Sequence, residues 1–172
     1  MKKDNKGFSL VELIVVIAIM SIVIVGAIIG VGAITGKPAE KCANQISAVL
    51  NSCRNASMGK LGSKVSFYYD AAAGKVIATE QFGTSSKQYP ISDAGVKFEF
   101  LIEGESTNRE LDSTPLVITF DRSSGGIAPL NDDNATALRG KVLKKIILSK
   151  ADKCFELKIS SLTGRVEITQ IP

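Results

Sequence analysis

The 172-residue sequence contains no histidine and no tryptophan, only three cysteines and five prolines, and its aromatic content is 6%. Without histidine there is no imidazole general base, no histidine-containing triad and no histidine metal site. Without tryptophan the commonest large stacking platform for sugars and bases is missing. Positive charge exceeds negative by only four, 21 against 17, and no dense lysine or arginine run occurs, so charge alone does not indicate nucleic acid as a partner. No Gly-rich phosphate loop is found either. What the chain has in quantity is apolar side chains, 45% of the total, gathered at one end. This size and distribution suit one domain plus an appendage and exclude both a disordered chain and a disulfide-dense miniprotein.

The appendage is Leu13 to Ile34, an apolar run interrupted only by Ser21. At ~1.5 Å per residue its 22 positions make a helix of about 33 Å, enough to cross a bilayer. Lys2, Lys3 and Lys6 outweigh Asp4 before it, which places the N-terminus in the cytoplasm and everything beyond Lys37 outside. A general secretory signal would also be basic and then apolar, and Val31-Gly32-Ala33 would serve as its cleavage site. The run is about twice as long as the core of such a signal. Glu12 also stands at its cytoplasmic edge, where an unpaired carboxylate costs about 2.5 kcal/mol or more. A cost of that size implies a cationic partner.

Lys6-Gly7-Phe8-Ser9-Leu10-Val11-Glu12-Leu13-Ile14 resembles the leader and first mature residues of type IV pilins and of the pseudopilins of type II secretion and competence systems. The resemblance implies that a prepilin peptidase cuts after Gly7 and methylates the new amine of Phe8, and that Glu12 is the family's acidic residue at the fifth mature position. It also implies other pilin or pseudopilin subunits, an inner-membrane assembly platform and membrane lipid as partners, and no cofactor. Elementary electrostatics fits this arrangement. The Phe8 amine, four residues from Glu12, would share its helix face, and the amine of one subunit can neutralise the Glu12 carboxylate of another inside an apolar fibre.

Gly26, Gly30, Gly32, Gly36 and Pro38 loosen the chain where the apolar run ends, so a bend is expected near 30–38. Beyond it Ala39, Cys42, Ile46, Val49 and Cys53 recur at helical spacing, predicting an amphipathic helix to about Met58 with Gly59 as its cap. Alternation and turn residues then predict strands at 65–69, 75–79, 96–102, 116–120, 142–148, 155–159 and 165–169, with strand-free loops at 104–115 and 121–141. The expected fold class is α+β: a long N-terminal helix, half membrane-spanning and half amphipathic, packed on an antiparallel β-sheet head. The expected divisions are a cleaved leader at 1–7, an assembly helix at 8–36, the amphipathic helix at 37–58 and the β-rich head at 59–172.

The closing segments, Ile118-Thr119-Phe120-Asp121 with Gly125-Gly126, then Phe155 to Ile159 and Gly164-Arg165-Val166, resemble the H-type minor pseudopilins of type II secretion and the FimT-like group of type IV pili. Outside the cytoplasm one disulfide is permitted. Cys42 and Cys53 lie about 16 Å apart along a helix axis, so only Cys154 with Cys42 or with Cys53 is open to pairing, and three buried free thiols are the simpler reading. Asn131-Asp132-Asp133-Asn134 offers oxygen ligands, with Asp132 and Asp133 as calcium candidates, but without the spacing of an EF-hand, and a solvated loop is preferred. Arg139, Lys141, Lys144, Lys145, Lys150 and Arg165 would make a basic stripe for DNA, although Glu167 weakens it. The expected function is therefore a structural minor pilin or pseudopilin subunit and not an enzyme, located in the cytoplasmic membrane with its N-terminus inside and later in an extracytoplasmic fibre. The alternative is a membrane-anchored or pilus-tip binding module for DNA or surface adhesion.

Overall fold

The computed structural model describes residues 14–16, 37–59 and 62–172. The chain divides into two compact units, Met1–Thr35 and Gly36–Pro172. Of the first unit, residues 14–16 are helical.

The second unit is α+β. Its helix α1, Lys37–Met58, carries Pro38 in the first turn, where the missing N–H has no intrahelical partner to lose, and Glu40 beside it, where the helix dipole favours a carboxylate. Ala39, Cys42, Ala43, Ile46, Val49, Leu50 and Cys53 form its buried stripe. Its last turn closes with the Gly59 N–H donating to Asn55 O at 3.0 Å.

Nine strands follow: β1 Ser63–Asp70, β2 Lys75–Phe82, β3 Ser85–Pro90, β4 Lys97–Ile102, β5 Arg109–Glu110, β6 Leu116–Thr119, β7 Leu143–Lys150, β8 Lys153–Ile159 and β9 Val166–Ile171. They build two antiparallel sheets, ordered β3-β2-β1-β6 and β5-β4-β7-β8-β9, where the sequence led us to expect one. α1 packs against β1, β2 and β6 of the first sheet and β7, β8 and β9 of the second. The core lies among these three layers. Val65 and Phe67 of β1, Phe98 and Phe100 of β4, Ile146 and Leu148 of β7, and Phe155, Leu157 and Ile159 of β8 are buried at alternate positions. Phe67 and Phe98 bring the two sheets together, with ring centroids 5.7 Å apart.

Two strands were not expected. β3 reads SSKQYP, has no apolar alternation and ends in proline, yet it pairs with β2 along its whole length as an edge strand, where proline is tolerated. Gly83, at φ +57, supplies the tight turn that returns the chain. β5 falls inside the 104–115 stretch that was read as strand-free, and its two residues pair with Glu99 and Phe100. The 121–141 stretch contains one 3₁₀ turn, Thr136–Leu138, and an isolated bridge between Phe120 and Ile127.

Candidate functional site

Gly7, Phe8 and Glu12 lie outside the described residues, as does the apolar run apart from residues 14–16. Among the described residues no helix is long and apolar enough to cross a membrane. The remaining candidate residues all fall in the second unit.

All three cysteines are free. Cys42 and Cys53 belong to the buried stripe of α1. Burial pushes the Cys42 thiol up to about 12, with the charge of Asp93 adding to the effect. Burial also raises Cys53, whose Sγ lies 3.6 Å from Ser63 Oγ. Cys154 is placed differently. Its neighbours Phe155, Leu157 and Ile159 face the core, so strand alternation turns Cys154 to the opposite face of the sheet, among Glu99, Lys145 and Glu156. The pairing of Cys154 with Cys42 or Cys53 is therefore not formed, because the sheet itself stands between them.

The 131–134 loop is organised by hydrogen bonds within the protein. Asn134, 3% exposed, accepts from the Val117 N–H at 2.8 Å and donates to Val117 O at 2.9 Å, so its side-chain amide acts as a short strand partner for the open edge of β6. Asp133 pairs with Lys64 at 3.0 Å, which holds its carboxyl below the usual range. Asp132 pairs with Arg139 at 3.4 Å. No group of three or more acidic or cysteine side chains suited to a metal ion occurs among the described residues. Asp121 works locally too. It accepts from the hydroxyls and backbone N–H groups of Ser123 and Ser124, and these bonds, led by the Ser123 hydroxyl, lower its pKa to about 2.

The basic residues do not combine into one stripe. Lys141 and Arg109 both hold Glu105, at 2.7 and 2.9 Å, and lower its pKa to about 2, the Arg109 hydrogen bond contributing most. Lys145 meets Glu156 at 3.3 Å, Arg165 meets Glu167 at 3.9 Å, and Lys150 donates to the Ala94 carbonyl. Lys144 and Lys158 share a shallow depression with Arg165, but Glu103 and Glu167 line it as well. A phosphate backbone would meet alternating charge there.

One constellation was visible in the sequence only as scattered glycines. Gly125, Gly126 and Gly164 meet at the C-terminal turn of α1, where Arg54 Nε donates to Gly125 O at 3.2 Å. A Cβ on Gly126 would strike the backbone of Ser161 and Leu162, and one on Gly164 would strike Gly125 O. The 120–127 segment, the β8–β9 turn at 160–164 and the C-terminal turn of α1 thus meet and lock together. This junction contains no chemistry beyond hydrogen bonding.

Residues 2–34 match the prokaryotic N-terminal methylation motif. This is the type IV pilin and pseudopilin signal, and the proteins that carry it are structural, pilin-like substrates of prepilin peptidase. No curated protein and no solved structure matches the chain.

Proposed function

We propose that this chain is a structural subunit, not an enzyme, of a type IV pilus or of a type II secretion or competence pseudopilus, and within those machines a minor subunit. The observation that carries the proposal is the match of residues 2–34 to the methylation motif, a span that includes Gly7, Phe8 and Glu12. The precursor sits in the cytoplasmic membrane with its leader, 1–7, inside. Prepilin peptidase cuts after Gly7 and methylates Phe8. The freed helix, 8–36, enters a fibre when Glu12 of the incoming subunit meets a Phe8 amine already docked, so that neither charge stays unpaired in apolar surroundings. The assembly platform of the inner membrane delivers the subunit, and the amphipathic helix and the β-rich part from residue 59 onward form the displayed head.

The minor role is supported by the resemblance of the closing segments, Ile118–Asp121 with Gly125-Gly126, Phe155 to Ile159 and Gly164-Arg165-Val166, to those of minor pseudopilins. The spending of Arg139, Lys141, Lys145 and Arg165 in ion pairs gives the DNA-binding alternative no support. The deciding experiment is N-terminal sequencing and intact mass of the protein recovered from its native membranes, with and without the peptidase. A chain beginning at methylated Phe8 only when the peptidase is present is the expected result. A chain that begins near Ile34, or still at Met1, overturns the proposal.

A further inference from the structure

Two surface features of the second unit fit one another. The first is a knob. Leu162, in the β8–β9 turn, is 79% exposed, more than any other large apolar side chain among the described residues. The turn that carries it is fixed. The Gly164 N–H donates to Ser160 O at 2.7 Å, the Ser160 N–H to Arg165 O at 2.9 Å and the Ile127 N–H to Ser161 O at 3.1 Å, and the backbone of Ser161 and Leu162 lies against Gly126. A leucine held in this way loses little backbone freedom when it is covered.

The second is a cleft of about 190 Å³ between β5, the edge of one sheet, β6, the edge of the other, and the 3₁₀ turn. Phe100, Leu111, Leu116 and Leu138 form its apolar floor, each 7% exposed or less. Its walls are anchored: Arg109 by Glu105, Leu111 by its N–H to Phe98 O at 2.9 Å, and the approach to the 3₁₀ turn by Asn134 on Val117. A cavity of roughly 150 Å³ holds benzene, so one leucine side chain fits here, whereas small-molecule sites usually measure about 300 Å³ or more. Leu162 does not reach the cleft of its own chain, because β9 and β5 are opposite edges of the five-stranded sheet, four strand steps or about 19 Å apart.

The charges around the two features do not oppose each other. Lys144, Lys158 and Arg165 lie beside Leu162 with Glu103 and Glu167, leaving one positive charge in excess. At the cleft Glu110 and Asp112 line the rim, Glu99 is opposite Glu110, Lys97 precedes the strand position that holds Leu111, and Arg109 and Lys141 both meet Glu105. Four carboxylates against three cations leave one negative charge there. Shape carries the fit, and the charges permit it.

We infer that Leu162 of one copy of this chain inserts into the cleft floored by Phe100, Leu111, Leu116 and Leu138 of a second copy. Knob and cleft are different patches, so the contact is heterologous and repeats head to tail, each copy offering the next what it has not yet used. It involves surfaces of the second unit alone. It goes beyond the fibre reading and does not depend on processing at Gly7 or docking through Glu12.

The test uses full-length protein in detergent micelles on a Cys154→Ser background, which leaves only the buried native thiols. One preparation carries Ser161→Cys beside the knob, another Thr114→Cys at the cleft, and a short bis-maleimide with mass spectrometry reads which peptides are joined. The mixture is expected to join position 161 to position 114, and neither preparation alone is expected to join to itself. Adding Leu162→Asp to the first, or Ala137→Phe to the second so as to fill the cleft, should lower the yield about ten-fold or more. Leu162→Met keeps an apolar knob and should keep the yield, which separates loss of the contact from damage to the turn. No joining in the mixture, joining of either preparation to itself at the level of the mixture, a yield indifferent to both Leu162→Asp and Ala137→Phe, or a loss with Leu162→Met equal to that with Leu162→Asp would each overturn the inference.

Discussion

Asn134 closes the edge of β6 with two hydrogen bonds, to the N–H and to the carbonyl of Val117. Asn134→Ala leaves both groups buried without partners, so a loss of about 2–4 kcal/mol is expected in denaturant unfolding, while Asn134→Asp keeps the acceptor and loses less. The buried thiols make a second expectation. Burial raises all three thiols, but Cys42 and Cys53 are buried and Cys154 is half-buried, so a thiol reagent acting on the folded protein should modify Cys154 first and reach the other two only on unfolding. Glu105 and Asp121 give the head an acid limit. Each titrates at about 2 when folded, against 4.5 and 3.8 as ordinary values, so the unfolded chain binds more protons between those limits. Their stabilisation is complete above about pH 4.5 and is lost as pH falls towards 2. A stability profile over that range should flatten in the Asp121→Asn and Glu105→Gln variants, and an unchanged slope would contradict the assignment.

Among the elements, the turns divide into those that tolerate side chains and those that do not. Gly104, at φ +83, has nothing within 4 Å of an added Cβ, so Gly104→Ala costs only backbone strain of about 1 kcal/mol. Gly126→Ala and Gly164→Ala drive a methyl into backbone at the junction of helix, sheet and hairpin, and a loss of about 3 kcal/mol or more is expected by the same denaturant measurement. Ala151 in the β7–β8 turn is the reverse case. It is the one non-glycine residue at positive φ among those described, at 50°, and Ala151→Gly should raise stability by about 0.5–1 kcal/mol. Elements with apolar alternation, β1, β4, β7 and β8, were readable from sequence because burial selects their side chains directly. β3 was not, because its residues are mostly exposed and only the free edge of β2 makes SSKQYP a strand.

At the scale of the whole molecule, residues 2–34 match the methylation motif that marks pilin-like peptidase substrates, and the proposed assembly turns on one charge, Glu12. Glu12→Gln should leave cleavage after Gly7 intact while the mature protein stays in the membrane fraction and is missing from sheared fibres; equal recovery in fibres would exclude the docking role. The sequence by itself determined this motif, the apolar run, the stripe of α1 and the class of the head, because each depends on local residue type, spacing or periodicity. Tertiary structure decided the rest. Alternation put Cys154 and Phe155 on opposite faces, but only the position of α1 settled which face is the core and so kept Cys154 from Cys42 and Cys53. Likewise the partners of Arg139, Lys141, Lys145 and Arg165, the pairing of Asn134 with Val117 and the meeting of Gly125, Gly126 and Gly164 depend mostly on where separate elements land. Such encounters are fixed by packing, and no local pattern in the chain records them.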